Sequence, residues 1–135
     1  MSVVVVDTDV ISFVFKEDTR AATYQPHLVG RTAVISFMTV AELDRWALAR
    51  RWGEARRARL RHLLRQFAVC YANRDLCRHW AEATESARCA GRPIACADAW
   101  TAAVALLFDA PLVTHNPTDY RGVGGLQIAG ETGTT

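Results

Sequence analysis

Apolar and polar residues fall along this chain in blocks whose period predicts alternating strands and helices. The first block, Val3–Val6, is four valines in succession, and an uninterrupted β-branched run reads as a strand buried on both faces, as in a parallel sheet. A short helix or helical turn is expected over 10–15, then a polar stretch over 16–20 and a helix over 21–29, in which Pro26 sits awkwardly. A second strand is predicted at 33–36. Helices follow over 39–51 and 54–67, hinged at Trp52-Gly53. In the second of them Leu60, Leu63, Leu64 and Phe67 recur at i, i+3, i+4, i+7 and form an apolar stripe. A brief strand at 68–70 precedes a helix over 75–89 that Gly91 ends. The run 93–108 is almost wholly apolar and reads as a buried helix, followed by strands at 112–114 and near 126–128. Residues past Gly130 read as a frayed tail. The alternation predicts one α/β domain over 1–129, with a mostly parallel central sheet, and a flexible tail over 130–135.

Composition narrows the class. A chain of 135 residues, half of them hydrophobic, is long enough for one core and argues against disorder. The apolar run at the N-terminus is far short of the ~18 residues needed to cross a bilayer. Cys70, Cys77, Cys89 and Cys96, with no secretory signal, point to a reducing, cytoplasmic setting and to thiols packed as small hydrophobes. Their spacing lacks the paired C-x-x-C knuckle of a zinc site. Net charge is only +2, yet arginine supplies all but one of the 16 basic residues. Eight of these cluster: Arg45, Arg50, Arg51, Arg56, Arg57, Arg59, Arg61 and Arg65. Arg57, Arg61 and Arg65 make a ridge beside the apolar stripe, either a solvated helix face or an electrostatic attraction for phosphates.

The acidic residues carry the chemistry. Asp98 is the sole charged residue in the 93–108 run, and an ionised carboxylate there needs a cation, a metal or dense hydrogen bonding. Asp7 directly follows the valine strand. In parallel sheets ligands gather at the carboxyl ends of strands, where strand order reverses. Asp7, Glu42, Asp98 and Asn116 all map to that rim. Structural alternatives stand beside this. Thr39 and Glu42 fit a capping box, Asp98 could complement its helix dipole, Asn116-Pro117 reads as an N-cap with proline at N1, and Asp9 could cap the first helix. Clustered carboxylates repel one another unless a divalent cation offsets their charge, and Mg²⁺ and Mn²⁺ prefer such oxygen ligands.

Four segments in order, Val5-Val6-Asp7-Thr8-Asp9-Val10-Ile11-Ser12, Ser36-Phe37-Met38-Thr39-Val40-Ala41-Glu42-Leu43, Ala97-Asp98-Ala99-Trp100-Thr101-Ala102-Ala103 and Leu112-Val113-Thr114-His115-Asn116 with Asp119-Tyr120, resemble the PIN domain, more narrowly the VapC toxins of bacterial toxin–antitoxin pairs. The resemblance covers nearly the whole chain. It implies a PIN-like three-layer α/β/α sandwich and an endoribonuclease dependent on Mg²⁺ or Mn²⁺. Asp7, Glu42 and Asp98 would form the acidic metal site, with Glu42 as ligand or positioner of the attacking water. Asp9 would orient or extend the site, and Thr8 and Thr114 would be supporting hydroxyls. Asn116 stands where many members carry a fourth acid, which leaves open a second metal or substitution by Asp119 or water. The implied partners are RNA, a VapB-like antitoxin received near the helical hairpin, and a second copy in a homodimer. Trp46 and Trp52 nearby read as core or interface. Two other readings are an RNA- or protein-binding module with weak catalysis, which Asn116 favours, and a haloacid-dehalogenase-like phosphatase built on Asp7-Thr8-Asp9. The latter needs a downstream lysine, whereas the one lysine here, Lys16, comes too early.

Overall fold

A computed structural model describes residues 2–130. Its elements are β1 (Val3–Val6), α1 (Thr8–Phe15), α2 (Ala21–Leu28), β2 (Thr32–Ser36), α3 (Phe37–Ala49), α4 (Glu54–Leu64), β3 (Ala68–Cys70), α5 (Arg74–Cys89), α6 (Cys96–Phe108), β4 (Leu112–Val113) and a 3₁₀ turn, Pro117–Tyr120. The strands lie in the order β3-β2-β1-β4, all parallel. Parallel neighbours need crossover connections, and the helices supply them. The chain steps outward from β1 to β2 to β3, then returns to place β4 on the other side of β1. The reversal of direction therefore falls between β1 and β4.

Both faces of the sheet are covered. Along β1 the side chains alternate: Val5 joins Val34, Leu76, Ala83, Ala87 and the alanines of α6 in one core. Val4 and Val6 join Ile11, Phe15, Ile35, Leu43 and Leu60 in the other. This period of two, read through a run with no polar residue, makes β1 the middle of a three-layer α/β/α sandwich. Ala99, Ala102, Ala103 and Ala105 keep α6 slim, so α5 and the sheet approach it closely. Trp52 at the hinge between α3 and α4 is buried and stacks on Phe15 at 5.0 Å.

Several boundaries differ from expectation for identifiable reasons. Ser36 caps α3, its hydroxyl accepting from the Met38 N–H at 3.0 Å, so the helix begins at Phe37 and Thr39 lies inside it. The Thr39–Glu42 capping box therefore does not form. Pro26 is accommodated in the last turn of α2, a helix with no buried residue. The expected strand near 126–128 shrinks to a single parallel bridge, Leu112 with Ile128, before the chain turns at Gly130 (φ +84°). Helix α5 ends as Gly91 requires: Gly91 is left-handed (φ +72°), its N–H donates to Arg88 O and the Arg92 N–H to Ala87 O. Those two bonds are a Schellman motif. Cys77, Cys89 and Cys96 are exposed, contrary to the expected packing: α5 turns Leu76, Ala83 and Ala87 inward in place of its two cysteines, and Cys96 stands at the first position of α6. All but the first residue of the expected tail, 131–135, lies outside the described residues. Among those described, no helix is long and apolar enough to cross a membrane.

Leu112 is fully buried at the β1–β4 junction. Leu112→Ala should cost about 2–5 kcal/mol, read as a lower urea midpoint at unchanged m-value. A midpoint shift worth less than ~1 kcal/mol would show that this junction does not hold the sandwich together.

Candidate active site

The carboxyl ends of β1 and β4 open into a cavity of about 180 Å³ lined by Asp7, Thr8, Asp9, Glu42, Trp46, Asp98, Asn116 and Asp119. Four elements and a loop contribute. β1 ends at Val6, so Asp7 becomes the N-cap of α1, and Thr8 and Asp9 lie in its first turn. Helix α3 presents Glu42 and Trp46, α6 presents Asp98 from its own first turn, and the segment after β4 brings Asn116 and Asp119. Asp7, Glu42, Asp98 and Asn116 thus meet in one cavity although 109 positions separate the first from the last.

Asp7 is almost fully buried and densely hydrogen-bonded. Its Oδ1 accepts from the Thr8 N–H at 2.8 Å. Its Oδ2 accepts from the Thr114 hydroxyl and the Tyr120 hydroxyl, both at 2.8 Å. Tyr120 also stands 3.4 Å from Asp98 Oδ1, so one phenol spans the two acids. Glu42 Oε1 accepts from the Thr8 hydroxyl at 2.8 Å, and Thr8 meets Thr39 at 2.9 Å. The residues expected as a capping box are instead a bridge from α3 to α1. Asp9 does not cap α1. Its Oδ1 accepts from the Val10 N–H, and its Oδ2 from the His115 N–H at 3.1 Å and from Asn116 Nδ2 at 2.9 Å. Asn116 does precede the 3₁₀ turn with proline at N1, but its side chain caps nothing and serves Asp9.

Tyr120 and His115 stand in the last of the four resembling segments, but the sequence assigns neither a role. His115 Nδ1 lies 2.5 Å from the Tyr24 hydroxyl, and its ring meets Phe13 edge-on at 5.0 Å. Which groups these two residues meet depends on the strand order, which a single residue type does not reveal. The arginine cluster behaves in the opposite way: it was conspicuous in sequence, and none of it lines the cavity. Arg57 donates to Trp52 O, Arg59 to Phe15 O, Arg61 pairs with Glu54, and Arg56 covers the Trp52 ring at 4.5 Å. Arg56 and Arg57 thus brace the hinge between α3 and α4, Arg59 ties α4 to the end of α1, and the Arg61–Glu54 pair lies exposed on α4. Trp46 is half-buried and turns one edge to the cavity.

The donor set is five carboxylates with neighbouring hydroxyls, all hard oxygens and no basic side chain, which suits a hard divalent cation. Among the described residues no three His, Cys, Asp or Glu side chains stand as a closed ligand set. The acids share a cavity and not yet a coordination sphere, and two of the Asp7 lone pairs are already taken by hydroxyls.

Comparison with known proteins agrees with this architecture. The PIN domain family model matches residues 4–125. Ribonuclease VapC1 of Haemophilus influenzae (strain R2866) is 30% identical over 123 residues, 90% of this chain and 92% of that protein. The structure of VapBC-1 from nontypeable Haemophilus influenzae superposes with a TM-score of 0.74 at 26% identity, covering 93% of this chain and 96% of that one. VapBC2 from Rickettsia felis, bound to a DNA fragment from its promoter, shares the fold with a TM-score of 0.82 at 18% identity, over 93% and 96% of the two chains.

Burial pushes Asp7 up to about 7, and the adjacent Asp9 charge adds to this against the three hydrogen bonds. Burial, then the charges of Asp119, Glu42 and Asp9, push Asp98 up to about 6. Burial also raises Asp9, and burial with the Asp7 and Asp98 charges raises Tyr120, which therefore remains a phenol donor. Both aspartates hold protons in the folded state that the unfolded chain gives up near its ordinary 3.8. The stability they contribute is present below that value and is lost as pH rises through about 6 and about 7. Without divalent cations the urea midpoint should therefore fall between about pH 4 and 7, and Asp7→Asn should flatten the last part of the fall. A midpoint that climbs across this window in the metal-free protein would contradict the account of Asp7 and Asp98.

Proposed function

This chain belongs to the PIN domain family, and from that premise we propose that it is a metal-dependent endoribonuclease acting as the toxin of a type II toxin–antitoxin pair. The observation that carries this reading is the convergence of Asp7, Glu42 and Asp98 on one cavity, in a chain 30% identical to Ribonuclease VapC1. The nuclease unit is assigned to residues 1–129.

Asp7 and Asp98 are proposed to hold the cation, Mg²⁺ or Mn²⁺, with Glu42 as a further ligand or as the group that orients the attacking water. When bound, such a cation polarises a phosphoryl oxygen and makes water more acidic, the two requirements of phosphodiester hydrolysis. The chain supplies the positioning. Thr114 and Tyr120 fix Oδ2 of Asp7, and Thr8 aims Glu42 by occupying Oε1, which leaves Oε2 as the acceptor for a water proton. Asn116 keeps the Asp9 carboxylate in place with a neutral donor. An acid at that position would add to the five carboxylates already lining the cavity, of which Asp9 and Asp119 remain beside the three proposed to hold the cation. A phosphatase that uses Asp7 as covalent nucleophile fits poorly, because the lysine that chemistry needs does not line the cavity. The partners assigned are RNA as substrate, a VapB-like antitoxin, as in the VapBC complexes of like fold, and a second copy in a homodimer.

The direct test is cleavage of total RNA by purified protein with Mg²⁺, Mn²⁺ or EDTA. Cleavage should need the metal, and Asp98→Asn should lower it by about two orders of magnitude or more, the size of losing several kcal/mol of charge stabilisation. Near-normal cleavage by a folded Asp98→Asn protein would remove Asp98 from the site. Expression alone should arrest growth, and a co-expressed antitoxin should relieve it. Harmless expression without any partner would count against the toxin role and leave the nuclease chemistry standing.

A further inference from the structure

Next to the carboxylate cavity lies a second hollow of about 440 Å³ that shares Asp98 and Asp119 with it. Arg92, Pro93, Ala95 and Thr118 complete its walls. Arg92 lies outside the arginine cluster and lines this hollow, which no member of the cluster does. Its side chain forms no ion pair with any described residue, whereas Arg61, Arg78 and Arg88 are each paired with an acid. Its main chain is nevertheless anchored. The Arg92 N–H closes the Schellman motif on Ala87 O at 2.9 Å. Gly122 packs so tightly against it that a Cβ there would lie 2.8 Å from Arg92 O and 3.0 Å from Arg92 Cβ. The segment that supplies this clamp also carries Thr118 and Asp119. The result is a guanidinium with a fixed root and an uncommitted head, one step from the acids.

A single strand of RNA crossing the carboxylate cavity has phosphates on either side of the bond to be cut. A cation offsets charge on the central phosphate, but no basic residue lines that cavity to receive its neighbours. Resting on the ribonuclease reading above, we propose that the second hollow is the subsite for the nucleotide adjacent to the scissile bond. Arg92 takes that phosphate through its forked donors, and the Thr118 hydroxyl is a second donor. Such a contact sets the register of the strand over Asp98 and carries no base information. Arg92 is thus a positioning residue: it governs binding and KM and leaves kcat and base preference largely untouched.

The experiment uses a short single-stranded RNA spanning a site that the wild-type protein cuts. Its binding is measured in EDTA across a salt series for wild type, Arg92→Ala, Arg92→Lys and Arg61→Ala, and its metal-dependent cleavage is measured in parallel. Arg92→Ala should lower the slope of log K against log salt by about 0.7, the loss of one phosphate contact on a single strand, and raise KM with kcat little changed. Arg92→Lys should restore the slope, and Arg61→Ala should leave it at the wild-type value. The side chain is exposed, so the melting temperature of Arg92→Ala should match wild type. Unchanged slope and KM in Arg92→Ala, with wild type cleaving, would overturn the subsite and leave the nuclease intact. A slope that falls in Arg61→Ala instead would move the contact to α4 and also overturn it. Wild-type protein that cuts no RNA would end the ribonuclease reading, and the subsite with it.

Discussion

The architecture turns on one buried carboxylate. Asp7 sits where the central strand ends and the sheet reverses its direction of growth, and burial there opposes its charge. Three donors hold it: its own helix's first N–H, the hydroxyl that follows β4, and a phenol from the turn beyond. Each donor comes from a segment that must be in register for the sandwich to close. Folding and site assembly are therefore one event: β4 cannot pair with β1 without delivering Thr114 to Asp7. The sheet fixes where β1 ends, and the segment after β4 is fixed in turn by the hydrogen bonds of Thr114 and Tyr120 to Asp7.

The acids around Asp7 are assembled against their mutual repulsion. Asp98 sits half-buried with Asp119, Glu42 and Asp9 close enough to raise its proton affinity. Neutral donors moderate the cost: Thr8 on Glu42, Asn116 and His115 on Asp9, Tyr120 between Asp7 and Asp98. A cavity of this kind has little purpose as scaffolding, since apolar residues of equal size would be more stable there. Functional sites are where such local conflicts with stability are expected. The asparagine at position 116 belongs to this balance, because a fourth acid beside Asp9 would face its carboxylate at hydrogen-bond range.

Much of this was legible in sequence, in proportion to how local the signal was. Four valines announce a strand buried on both faces, Gly91 announces a helix end, and an aspartate alone in an apolar run announces a charge that needs company. The rule that ligands collect at strand ends then placed Asp7, Glu42, Asp98 and Asn116 on one rim. The remaining contacts depend on tertiary register, which local sequence does not encode. Thr39 and Glu42 satisfy a capping box by spacing, yet Ser36 starts the helix earlier and frees both for Thr8. Tyr120 matters because the turn after β4 folds back over Asp7. In the arginine cluster, Arg50, Arg56, Arg57, Arg59 and Arg61 hold carbonyls, ring faces or Glu54, and no member lines the cavity, whereas an isolated residue, Arg92, lines the hollow that shares Asp98 and Asp119 with it.

These carboxylates, gathered in one cavity, are proposed to receive a divalent cation. Calorimetric titration of Mn²⁺ into the metal-free protein near pH 6.5, in buffers of different ionisation enthalpy, tests this without any RNA. Saturable binding should appear with proton release, because Asp7 and Asp98 must give up protons to bind metal, and both binding and release should weaken in Asp7→Asn. Binding without proton release, or binding undiminished in Asp7→Asn, would contradict the account.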